Sequence, residues 1–166
     1  TLNGNTTGLV TATGVTAITG TIAQINTLVG NEGDSGDKVN LDTDYTATIT
    51  DTDTTAALLN TVNGNVPGLV TATSVTNITG TAAAINTLIG NEGDSGDKVN
   101  LDADYDITVN SGTASVSLAN TFAAATGGTV TAEITETAAA TLATLNETTN
   151  AYTITVGDTS VTAARL

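Results

Sequence analysis

A chain of 166 residues with 17 Asp and Glu against 3 Lys and Arg carries a formal charge of −14 at pH 7. It has no basic stripe to neutralise phosphates or meet an anionic membrane surface, which excludes nucleic acid and acidic lipid as partners. Without His or Cys there is no Ser-His-Asp or Cys-His arrangement and no imidazole-based zinc site, and no enzymatic activity is expected.

The apolar residues are small or β-branched. One Phe, three Tyr and no Trp or Met leave Val, Ile, Leu, Ala and Thr to build the interior, which suits a thin core repeated in similar layers. No apolar run approaches the roughly 18 residues of a membrane span, and no signal peptide or starting Met is present.

In chain order, 1–8 is polar and turn-rich. Leu9–Thr13 reads as a strand and Val15–Gly20 as its extended continuation. Over Thr21–Gly30 the period switches: Ile22, Ile25, Leu28 and Val29 lie at helical spacing, with Thr21 as cap and Gly30 as terminator. An acidic loop follows. Val39–Thr50 then alternates strictly, with Val39, Leu41, Thr43, Tyr45, Ala47 and Ile49 on one face, as in a half-buried strand. Further on, helices are predicted at Thr54–Asn63, Thr81–Gly90, Ala114–Ala125 and Thr137–Leu145, and at the final Val161–Leu166. Strands are predicted at Leu69–Thr73, Val99–Asn110, Thr129–Thr135 and Tyr152–Val156.

The whole chain, 1–166, is one repeat array. The 12-mer NEGDSGDKVNLD stands at 31–42 and again at 91–102, and 1–46 laid on 61–106 matches at about 36 of 46 positions. The super-repeat is 60 residues, 1–60 and 61–120, built from strand-plus-helix units of about 24 residues that carry the acidic inserts 31–42 and 91–102. Units of this kind predict an α/β solenoid with a parallel strand stack, the alternative being a pure parallel β-solenoid. The chain ends in TAARL and begins TLNGNTTGLV, while its interior reads TAALLNTVNGNVPGLV, so end joined to start resembles the interior, at 11 of 15 positions with one residue missing. This predicts an excerpt of a longer array, or a subunit whose ends are covered by copies of itself.

Two patterns are candidate ligand sites. Glu32, Asp34, Asp37, Asp42 and Asp44, repeated as Glu92, Asp94, Asp97, Asp102 and Asp104 with Asp106 added, offer hard oxygen ligands on a Gly-rich loop, as calcium requires. Their spacing is neither that of an EF-hand nor of the nonapeptide GGxGxDxUx, and a solvated acidic loop is the competing reading. Unit stacking would put Asp42 and Asp102 on the order of 10 Å apart. The second pattern is a Thr-x-Thr pair on most strands (Thr11/Thr13, Thr46/Thr48, Thr71/Thr73, Thr129/Thr131, Thr153/Thr155), which resembles the hydroxyl ladders of solenoid ice-binding proteins. Asn5, Asn77 and Asn146 lie in N-x-Thr sequons.

The tracts Glu136–Ala164 and Val75–Leu88 resemble the degenerate Thr/Ala-rich repeats of giant secreted surface and adhesin-like proteins of cyanobacteria and related Gram-negative bacteria. That resemblance covers nearly the whole chain. It implies export to the cell surface or matrix, a structural or adhesive role in a fibre or sheath, contact with surface glycans, and calcium-binding regions in the same proteins.

Overall fold

The structure, a computed structural model, describes every residue except Ser111 and Glu147. Among the described residues the fold is α/β, with eleven short strands in three sheets, every pairing parallel, and five α-helices. In order these are β1 (Val10–Ala12), β2 (Ala17–Gly20), α1 (Ile22–Gly30), β3 (Val39–Leu41), β4 (Thr46–Ile49), β5 (Asp53–Thr55) and α2 (Ala56–Asn63). Then come β6 (Val70–Ala72), β7 (Asn77–Gly80), α3 (Ala82–Gly90), β8 (Val99–Leu101), β9 (Asp106–Val109), α4 (Val116–Ala125), β10 (Val130–Glu133), α5 (Ala139–Leu142) and β11 (Ala151–Thr153). The five helices set aside the pure β alternative.

Each strand pairs with the strand one circuit of the chain later. The sheets run β1-β3, β2-β4-β6-β8 and β5-β7-β9-β10-β11. The step is 29 residues from Val10 to Val39 and from Val70 to Val99, but 23 from Ala47 to Val70 and from Ile107 to Val130. The sequence predicts one strand per unit and a long step of about 36. The difference arises because the last residues of each acidic insert, Val39–Leu41 and Val99–Leu101, are themselves strands that pair with β1 and β6. The insert is therefore partly sheet. The register also carries Ile18 through Ala47 to Val70 in 52 residues, short of the 60-residue sequence period, so equivalent residues move one strand sideways per super-repeat.

The predicted long strand Val39–Thr50 is two strands. The Asp42 carboxylate accepts the N–H of Asp44 at 2.9 Å, an Asx turn that breaks the ladder, and Asp102 does the same to Asp104. Tyr45, Ala47 and Ile49 are buried as the alternation predicts, whereas Thr43, in the turn, is exposed. Inward rows such as Ile18–Ala47–Val70–Val99 and Ile78–Ile107–Val130 form one continuous core with Leu59, Ile85, Leu88, Phe122 and the two buried tyrosines.

Helix starts follow from local chemistry. Thr21, Thr55, Thr81 and Ser115 each accept the N–H of the third helical residue, and Gln24 completes a capping box on Thr21. Neighbouring helices α1 through α4 pack side by side in chain order. The predicted Thr137–Leu145 helix shrinks to α5, which has Ala138 at its cap position and no side-chain cap of its own. The predicted helix at Val161–Leu166 is one 3-10 turn over Ala163–Arg165.

Candidate functional site

The acidic loop closes on itself. Val39 N–H donates to the Asn31 carbonyl at 3.0 Å and Gly33 N–H to the Val39 carbonyl at 3.1 Å, and the second copy repeats both bonds at Val99, Asn91 and Gly93. Gly36 and Gly96 hold the tip at φ +68°, a left-handed turn that glycine adopts without strain. Asp34, Asp37, Asp94 and Asp97 are exposed at these tips.

The other predicted ligands have protein partners. Glu32 accepts the Tyr45 hydroxyl at 2.8 Å, and Glu92 accepts the Tyr105 hydroxyl at 3.3 Å. Asp42 and Asp102 are committed to their Asx turns, while Asp44 and Asp104 are exposed. Asp106 accepts the N–H of Thr129 at 2.7 Å. The predicted column of Asp42 above Asp102 does not form, since Asp42 follows a strand of the two-stranded sheet and Asp102 a strand of the four-stranded one. Among the described residues no three acidic side chains converge on a point that could hold a metal ion.

Burial raises the pKa of both Tyr45 and Tyr105, and the carboxylates beside them push in the same direction. Burial also raises Glu92, with the Tyr105 hydroxyl partly offsetting it. A raised carboxyl pKa means that ionisation costs the folded state. The stability tied to Glu92 is complete below the ordinary carboxyl pKa and is lost as pH rises through the raised one. Glu92→Gln keeps an acceptor for Tyr105 and removes that cost, so its melting temperature should exceed the parent's at neutral pH. The gap should close in acid, where the parent's Glu92 is protonated. Parallel melts at neutral and acidic pH measure this, and a gap independent of pH would contradict it.

Three further carboxylates act where sequence reasoning placed no role. Asp51 accepts the first helical N–H of α1 (Ile22, 2.7 Å), Glu136 that of α4 (Val116, 2.9 Å) and Asp158 that of α5 (Ala139, 2.6 Å). Each comes from the following circuit, 19 to 29 residues later. A carboxylate at a helix N-terminus satisfies an orphan donor and meets the positive end of the dipole, worth about 0.3–1 kcal/mol when exposed and up to about 2 when partly buried. Asparagines also join circuits: Asn60 Nδ2 donates to the Ala84 carbonyl and Asn120 Nδ2 to that of Thr144, both at 2.9 Å.

The threonines run in single file, not in stacked pairs. Thr19, Thr48 and Thr71 align across β2, β4 and β6, ending at Asn100. Thr55, Thr79, Thr108 and Thr131 align across β5, β7, β9 and β10, ending at Ala151. Thr11 instead stands beside Asn40 and Thr153 beside Glu133, because the sideways drift of the register separates the Thr-x-Thr pairs. Of the sequon asparagines, Asn5 and Asn146 are exposed, and Asn77 Nδ2 donates to Asp53. Glu147, within the Asn146 sequon, lies outside the described residues.

No protein-family model, curated protein or solved structure matches this chain.

Proposed function

We propose that the chain is a section of an α/β solenoid and serves as a structural repeat in a long extracellular fibre, sheath or adhesin. The observation that carries this reading is that each circuit is completed by the next. Among the described residues each strand's ladder is made with strands of adjacent circuits, and the N-termini of α1, α4 and α5 are capped by Asp51, Glu136 and Asp158 of the following one. Nearest-neighbour completion is the energetics of a linear array, in which a unit cannot bury its own face alone. The strongly acidic, cysteine-free composition suits a soluble surface polymer, and the resemblance of Glu136–Ala164 to secreted surface repeats supports the location.

Solution scattering tests the array. Two copies of the chain joined through one asparagine, which gives AARLNTLNGN at the junction against AALLNTVNGN in the interior, should scatter as one continuous rod. Its length should exceed that of the single chain by about 30 Å, six strand spacings of 4.8 Å, at an unchanged cross-section. Two lobes joined by a flexible hinge would overturn the reading.

A further inference from the structure

We propose that Asn63–Gly64 is a deamidation site that the fold keeps closed, so that a chain left unfolded is marked covalently and cannot refold. Asn-Gly occurs twice in the sequence, at Asn3–Gly4 and Asn63–Gly64, and the third equivalent pair is Ala123–Ala124. Glycine after asparagine opens the backbone nitrogen to the side-chain amide, because no Cβ stands in the way.

Asn63 is an anomaly of the core. It shares the buried face of α2 with Ala56, Leu59 and Val62, and it is 7% exposed. Its Oδ1 is buried, and among the described residues no donor meets it. A buried acceptor without a partner costs stability, and Ala123 holds the equivalent place in α4 without an amide.

The reaction is intramolecular. The Gly64 nitrogen attacks Asn63 Cγ, the N–Cγ bond forms, and the Cγ–Nδ2 bond breaks with release of ammonia to leave a succinimide. Water then opens the ring at either carbonyl, giving aspartate or its β-linked isomer. The end of α2 withholds the nitrogen: the Gly64 N–H is donated to the Asn60 carbonyl at 3.0 Å. The next two N–H groups, of Asn65 and Val66, are both donated to the Val62 carbonyl, at 3.0 and 2.9 Å, so the peptide cannot turn toward Cγ. Burial of the side chain withholds water as well.

Neither product fits the place. Aspartate sets a carboxylate in the core where no donor meets it. The isomer lengthens the backbone by one methylene just ahead of Gly68, which lies against the Tyr45 and Asp44 carbonyls of the preceding circuit.

The test holds the parent at neutral pH, once native and once in urea, and maps deamidation by mass spectrometry of tryptic peptides, with fragmentation to locate it. Cleavage after Lys38 and Lys98 leaves Asn3–Gly4 in 1–38, Asn63–Gly64 in 39–98 and no Asn-Gly beyond. In urea both pairs should convert at similar rates, since each lies in Asn-Gly-Asn. In the native protein Asn63 should convert at least about 100-fold more slowly than in urea, as an interior site that reacts only on opening must. After long incubation in urea and dilution, the parent should lose native circular dichroism in proportion to conversion at Asn63. Gly64→Ala, treated alike, should regain it. That variant installs the residue of Ala124, at φ −71° and with no neighbour closer to its Cβ than the Asn60 carbonyl at 3.4 Å. Should it not fold, Asn63→Ala takes its place. Asn63→Asp, made directly, should melt about 10 °C or more below the parent. Native conversion at the urea rate, no conversion of Asn63 in urea, equal refolding losses in parent and variant, or an Asn63→Asp melt equal to the parent's would each overturn the proposal.

Discussion

Replacing Phe122 with alanine should lower the unfolding free energy by about 3–5 kcal/mol, the usual cost of deleting a fully buried aromatic ring. Phe122 is the only phenylalanine, it is 0% exposed, and it sits on α4, which packs on α3 and contacts β10. The surroundings are poorly able to refill the space. Much of this core is Ala, Val and Ile, whose short or β-branched side chains have little freedom to swing into a cavity. Total stability for a domain of this size is on the order of 10 kcal/mol, so the loss should be a third of it or more. Phe122→Val restores the residue found at the equivalent Val62 and should cost less than the alanine variant, because it leaves a smaller void. Chemical denaturation of both variants measures the difference. A loss below about 1 kcal/mol for Phe122→Ala would mean that the ring does not fill the core.

The proposed array predicts more than a smaller total. When stability is a sum over neighbouring units, a cavity at one junction weakens that junction first. In Phe122→Ala, hydrogen exchange should rise earliest in β10, α5 and β11, which follow α4 in the stack, while β4 and β6 keep their protection.

The sequence makes the helices and the core faces legible because those depend on spacing within a few residues. Thr21, followed by Ile22, Ile25 and Val29, specifies a cap and a buried stripe, and all three side chains are buried. The alternation through Tyr45, Ala47 and Ile49 likewise marks inward residues correctly. Register is a different matter. Which strand stands beside β4 depends on how the 12-mer is folded, and its Val39–Leu41 stretch reads the same whether it closes a loop or enters a sheet. The Asx turn at Asp42 shortens the long step from 36 residues to 29, and nothing in the alternating pattern marks it. The same ignorance hides the chemistry of the carboxylates. Asp51 and Asp158 have no motif around them, and their partners Ile22 and Ala139 become visible only when the circuits are aligned. Glu32 and Glu92 look like loop ligands until the 13-residue reach to Tyr45 and Tyr105 is known. Contact across circuits gives these polar residues their tasks, and the local sequence reports only that each is polar.

That dependence on the neighbouring circuit predicts unequal effects for one substitution at three equivalent glycines, Gly8, Gly68 and Gly128. None has a positive φ, so alanine meets no backbone strain at any of them, and the outcome depends on space alone. A Cβ on Gly68 would stand 2.8 Å from the Tyr45 carbonyl oxygen and 3.1 Å from that of Asp44. On Gly128 it would overlap the Tyr105 carbonyl and lie 2.6 Å from the Asp104 oxygen. Both obstacles are backbone of the preceding circuit, held by the β4–β6 and β9–β10 pairings, and cannot swing aside as a flexible side chain would. On Gly8 the nearest atom is the Thr6 hydroxyl at 3.6 Å, an ordinary contact. Gly68→Ala should therefore cost about 1–3 kcal/mol, with Gly128→Ala at the upper end or beyond. Gly8→Ala should be neutral, or stabilising by about 0.4–1 kcal/mol through a less flexible unfolded chain. Melts of the three variants under identical conditions give the comparison. The order Gly128, Gly68, Gly8 in decreasing damage follows from the approach distances, and equal effects at all three would mean that the circuits do not pack at the separation these carbonyls require.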